Sequence, residues 1–305
     1  MAKKTRDPFW DTLKAILIVL VVLGHTGTAM GDKWLSVVYA FHMPLFIFIS
    51  GYFSKKQSFS LFGGGGNKRL IILFLIFNTA YLALDVALGG GIGLHRLLSP
   101  AFALWYILSL IYWRMILQLI PQRVLDKKIL VMALAMMVSL GAGFVSVGGE
   151  LSFQRACTFF PFFMLGYYAT QDGWVAKLRT MNKIPWAIVL FGLLSACYFV
   201  LPVFYSNTPY EELADCGMRA LQLTVAMVLC LAIMNVMPAK MGRFTDIGKY
   251  TLLIYLFHPP MIKIMKVACL HVGIEQNPLI GIAMTIVTVV AIYSVRNLKI
   301  FRYLV

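Results

Sequence analysis

Apolar runs of about 17 to 22 residues, separated by short polar turns, recur along the whole 305-residue chain. A run of that length crosses the hydrocarbon core of a bilayer as an α-helix, and nothing in these runs has the strict alternation of a half-buried strand. Ten can be placed, at approximately 13–30, 37–53, 70–88, 102–120, 129–147, 156–170, 185–203, 218–237, 250–270 and 279–295. The sixth is short, and the ninth carries Pro259 and Pro260 in its middle. The pattern predicts an all-α, polytopic membrane protein of about ten transmembrane helices. With no internal repeat and no linker long enough to divide the chain, residues 1–305 read as one transmembrane domain.

The charges between the runs alternate. Loops on the side of the N-terminus are rich in lysine and arginine, as at Lys55 and Lys56 or Lys127 and Lys128, whereas the opposite loops hold only Lys33, Arg96, Arg155 and Arg219. Basic loops stay on the cytoplasmic side, so both termini are expected there and the span count is expected to be even.

Composition narrows the class further. Hydrophobic residues make up 60% of the chain and charged residues 13%, with a mean hydropathy of +0.82, outside the range of soluble domains. The net charge of +15 is spread over short loops rather than gathered on one face, which argues for topology and against a nucleic-acid partner. The first apolar run contains Lys14 and His25 and lacks a small-residue cleavage site, so no cleavable signal peptide is expected. Five cysteines without CxxC spacing read as small buried hydrophobes rather than metal ligands or disulfides, and no metal is called for.

Chemistry is expected where ionisable groups enter the apolar runs, because such groups are costly to keep there. Lys14 and His25 are eleven residues apart on one helix, which advances about 16 Å over nearly whole turns. That spacing puts a cation at the membrane edge and an imidazole deep on the same face. His42, in the next antiparallel run, should lie at a similar depth, with Pro44 loosening the helix beside it. Arg114, His258, Lys263 and Lys266 are also embedded. Pro259 and Pro260 are expected to break the helix after His258, and Lys263 and Lys266 to snorkel outward. The segment GGGGNKR, residues 63–69, could wrap an anion through its glycine backbone, Lys68, Arg69 and the following helix N-terminus. Trp105 is either part of an interfacial belt or a stacking surface for a ligand ring. Arg155 is either an interface charge or a contact for a hydroxylated or anionic acceptor.

The segments RDPFWDTLKAILIVLVVLGH, FHMPLFIFISGYF, LSFQRACTFFPFFMLGYY and GKYTLLIYLFHPP together resemble the acyltransferase 3 family, in particular its branch related to fucose 4-O-acetylase, over residues 6 to about 295. The resemblance implies a ten-span membrane protein that moves an acyl group, usually acetyl from acetyl-CoA, to a hydroxyl of a cell-envelope glycan or lipid. The family's pattern of a basic residue, ten intervening residues and a histidine falls on Lys14 and His25. Lysine here replaces the more usual arginine and loses its bidentate fork. The paired-arginine motif after the second span is matched only loosely, by Lys68 and Arg69. No SGNH-type domain is expected at the C-terminus, and the membrane domain is expected to complete the acceptor chemistry itself.

The expected function is therefore membrane O-acetyl transfer from acetyl-CoA to a sugar or polysaccharide hydroxyl. His25 would be the general base or the acylated nucleophile, and His42 a proton-handling partner. Lys14, Lys68 and Arg69 would bind coenzyme A phosphates, with Trp105 as a further cofactor contact, and Arg155 and His258 would contact the acceptor. Partners are acetyl-CoA, a glycan or lipid-linked sugar, and membrane lipid, in a bacterial cytoplasmic (inner) membrane. The competing reading is a multi-pass carrier or exporter of a small anion or glycan precursor, which would also use midplane histidines and a basic vestibule.

Overall fold

A computed structural model describes residues 6–27, 31–57, 67–91, 99–146 and 150–302. Among them there is no strand. The main helices are α1 (Pro8–His25), α2 (Asp32–Tyr52), α3 (Asn67–Ala87), α4 (Trp105–Leu119), α5 (Lys128–Gly141), α6 (Phe153–Asp172), α7 (Trp174–Thr180), α8 (Lys183–Phe199), α9 (Leu213–Val236), α10 (Thr251–His271) and α11 (Pro278–Ser294). A run of 3-10 turns, Gly242–Tyr250, leads into α10.

Local chemistry sets several of the ends. Asp7 caps α1 by accepting from the Phe9 amide at 3.0 Å, and Pro8 occupies the first turn, where its missing N–H costs nothing. At the other end the Thr26 hydroxyl donates to the Leu23 carbonyl at 2.7 Å. Asn277 and Pro278 start α11 in the same way as Asp7 and Pro8 start α1, with Asn277 accepting from the Ile280 amide at 3.1 Å.

Helices occupy all ten expected positions, but six among the described residues are long and apolar enough to cross a membrane. The count reaches seven if α7 and α8, bent by 97°, form one broken span. Lys128–Phe144 and Pro278–Ser294 are apolar but shorter. The expected break in the ninth run does not occur: α10 is continuous from Thr251 to His271 through Pro259 and Pro260. Each proline removes one donor and leaves one carbonyl a turn earlier without its helical partner, which neighbouring groups can satisfy without breaking the helix. Pro44 in α2 and Pro161 in α6 are accommodated likewise.

The chain divides into two compact units. The first comprises residues 1–46, 176–203 and 226–305, so it holds α1, the start of α2, α8, the end of α9, α10 and α11. Here α1 packs against Gly242–Tyr250, α10 and α11. Its core combines Phe9, Leu13, Leu17 and Ile18 with Leu253 and Ile254, all nearly or fully buried. Gly248 lies so close to the Asp11 backbone carbonyl that a Cβ there would overlap it.

The second unit comprises residues 47–175 and 204–225. In it α6 packs against α4 and α5, and α3 against α4. The end of α2 meets α6 through a reciprocal pair of glycines: a Cβ on Gly51 would collide with the Phe163 carbonyl, and one on Gly166 with the Phe48 carbonyl. Small residues at such crossings let helix backbones touch, the main source of packing energy where lipid supplies no hydrophobic drive. Trp113 is buried against Phe163, with ring centroids 5.6 Å apart, and donates its indole N–H to the Ala156 carbonyl at 2.8 Å.

Candidate active site

The two ends of α1 carry the sequence's first candidate pair. Near its N-terminus, Lys14 Nζ lies 2.9 Å from Asp11, and Arg6 reaches both oxygens of the same carboxylate at 2.6 and 2.7 Å. The Asp11 side chain is 3% exposed, Lys14 19% and Arg6 56%, so a buried acid is flanked by two cations of which one reaches water. Lys14 keeps further N–H donors beyond the one spent on Asp11. Thr12 holds the same turn to the chain before α10: its hydroxyl is 2.9 Å from that of Thr245, which accepts from the Met241 amide at 2.8 Å. Arg179 pairs with Asp7 at 2.9 Å and covers the Phe9 ring.

At the C-terminal end the His25 ring lies against that of His258 from α10, with centroids 4.9 Å apart. His258 is fully buried, and its Nδ1 is 3.1 Å from the Ile254 carbonyl. A carbonyl only accepts, so Nδ1 carries the proton and Nε2 is a bare lone pair. That Nε2 is buried and has no hydrogen-bond partner among the described residues, which costs about 1–3 kcal/mol in a folded protein. His42 is nearly buried, bonds the Val38 carbonyl through Nδ1 at 2.7 Å, and so has the same tautomer. It packs beside Tyr39, whose hydroxyl donates to the Gly24 carbonyl at 3.3 Å.

Lys266 does not snorkel outward as expected. Its ammonium turns inward and donates to the His25 carbonyl at 3.0 Å, and it meets no carboxylate among the described residues. Carbonyls at a helix C-terminus carry partial negative charge and lack intrahelical donors, which makes this a favourable place for the cation.

The other expected residues fall in the second unit. The Arg155 guanidinium lies 5.3 Å over the Trp105 ring, which stacks on Phe159 with centroids 5.7 Å apart. The structure thus groups two residues that were expected to serve the acceptor and the donor separately. Lys68 and Arg69 are exposed in the first turn of α3. Gly63 to Gly66, the rest of the expected anion loop, lie outside the described residues, as do Lys3, Lys4 and Arg96. Asn67, beside Lys68, is buried with neither amide atom partnered among the described residues. Asn67, Asp11 and Tyr39 were not singled out in the sequence. Asp11 was visible there as an acid three residues before Lys14, whereas nothing local marks the other two.

An acyltransferase domain model of the acyltransferase 3 family matches residues 7–296. The chain belongs to that family. It is also similar to the nodulation protein NolL of Sinorhizobium fredii (strain NBRC 101917 / NGR234), at 31% identity over 187 residues, 54% of this chain and 49% of the relative. Against the nodulation protein NolL of Mesorhizobium japonicum (strain LMG 29417 / CECT 9101 / MAFF 303099) the identity is 34% over 95 residues, 27% of this chain and 26% of the relative. The chain therefore covers half or less of the length of these relatives. No solved structure matches.

Proposed function

We propose that this protein is a membrane O-acetyltransferase that moves an acetyl group from acetyl-CoA to a hydroxyl of a cell-envelope sugar or polysaccharide. Membership of the acyltransferase family over nearly the whole chain supports the reaction class. The observation that carries the assignment of the site is the His25 ring set against the buried His258 at the end of α1. As one domain over residues 1–305, with ten spans and both termini in the cytoplasm of a bacterium, the chain would take donor from the inner surface of the cytoplasmic membrane.

In this reading His25 acts on the thioester, as base toward the attacking hydroxyl or as the nucleophile that carries the acetyl group. His42 assists in proton handling. Lys14, Lys68 and Arg69 are the candidates for coenzyme A phosphates and Trp105 for a further donor contact. Arg155 and His258 are the candidates on the acceptor side, with the His258 ring set against that of His25.

The test is transfer of labelled acetyl from acetyl-CoA in membrane fractions. His25→Ala, expressed normally, should lower transfer by about 100- to 10,000-fold. Undiminished transfer would remove His25 from the chemistry.

A further inference from the structure

We propose that His258 is the positioning residue for His25: its bare Nε2 accepts the ring N–H of His25 and so leaves the opposite nitrogen of His25 as the reactive lone pair. The inference rests on His25 being the reacting histidine. Three observations carry it. The Nδ1–H of His258 is committed to its own helix at Ile254, which fixes Nε2 as an acceptor. That nitrogen is fully buried with no partner among the described residues. The ring next to it is that of His25, which lies on α1 rather than on its own helix, at a centroid separation of 4.9 Å.

A histidine kept only for packing gains nothing from a bare nitrogen in an apolar interior, where a leucine or methionine would fill the space without an unsatisfied atom. Its surroundings also explain why the acceptor is an imidazole. Helix α11, packed on α10, offers Gly281, Met284, Thr285 and Thr288 to the interior and no charge, and Lys266 already spends a donor on the His25 carbonyl. A neutral acceptor orients His25 without burying a carboxylate that would need its own counter-charge. Hydrogen bonds of this kind are often long before substrate is bound and tighten in the reacting complex.

In the direct route the acceptor oxygen bonds to the acyl carbon and the C–S bond breaks. The hydroxyl proton passes to His25 and then to the departing sulfur. His258 gains and loses nothing over the cycle, but holds the tautomer of His25 and shares its positive charge while that proton is aboard.

Purified protein in detergent, assayed with acetyl-CoA and its acceptor, tests this. His258→Leu should lower kcat by about 100-fold, with KM for donor and acceptor within threefold of the native values. His258→Gln, which restores an acceptor oxygen near the Nε2 position, should recover at least tenfold of that loss. A native kcat in His258→Leu, or a glutamine variant no better than the leucine one, would overturn the proposal. A raised acceptor KM at unchanged kcat would make His258 an acceptor contact and overturn it too. If neither variant folds, 15N spectra of the native protein's five histidines decide: one tautomer for His25 supports the proposal and a mixture overturns it. Failure of the underlying reading shows separately, as transfer that survives His25→Ala.

Discussion

The two ends of α1 hold charge in opposite ways. At the N-terminal end the charged groups answer one another: Asp11 takes Arg6 and Lys14, and Asp7 takes the backbone and Arg179. At the C-terminal end, among the described residues, His258 has a nitrogen with no partner and Lys266 bonds a carbonyl and meets no carboxylate. The first end is built chiefly as structure, because its ion pairs and the Thr12–Thr245 contact hold α1 to the chain preceding α10, and only the spare donors of Lys14 are left for a donor phosphate. The second leaves donors and acceptors unspent in an apolar setting, an arrangement that packing does not reward and a reacting ligand would use. The comparison teaches that the better-paired end should govern folding and the less satisfied end chemistry.

That separation can be broken by substitution. The largest effect after loss of His25 itself belongs to Asp11→Asn, which leaves Lys14 half-buried without its counter-charge. It should destabilise the protein by about 2–3 kcal/mol, read as lower thermal stability in detergent, while the surviving folded fraction keeps its kcat. A collapse of kcat at native stability would move the chemistry to the wrong end of α1. Lys266→Met should show the reverse balance: about 0.5–1 kcal/mol of stability lost with the helix-end contact, and a clear fall in transfer because the His25 backbone is no longer held. Unchanged transfer would make Lys266 a purely structural cap. Thr12→Val, which removes the shared hydroxyl contact with Thr245, should cost about 1 kcal/mol of stability and nothing in rate.

Much of this was legible in the sequence because it lies on single helices. Hydropathy placed a helix at each expected run, and the eleven-residue step from Lys14 to His25 placed a cation and an imidazole on one face of one helix, although that helix runs Pro8–His25 and ends at the imidazole instead of continuing to about residue 30. The His25–His258 contact was not legible, since it joins the first and tenth main helices and no local pattern encodes which helices meet. Lys266 was misread for a related reason: snorkelling is the default for a lysine near a helix end, and only the nearby α1 terminus gives its ammonium something better to bond. The double proline was overread as a break. A membrane helix tolerates the loss of two donors when side chains and neighbouring helices cover the freed carbonyls. The reciprocal glycines Gly51 and Gly166 were equally silent, because a close crossing needs both helices in view.

The central claim is that a thioester reaches the His25 end of α1. Bromoacetyl-CoA, which carries an alkylating carbon where the acetyl methyl would sit, measures this directly when the labelled site is mapped by mass spectrometry on the purified native protein. The account predicts alkylation of His25, suppressed by excess acetyl-CoA. Labelling that spares His25, or that acetyl-CoA does not suppress, would contradict it.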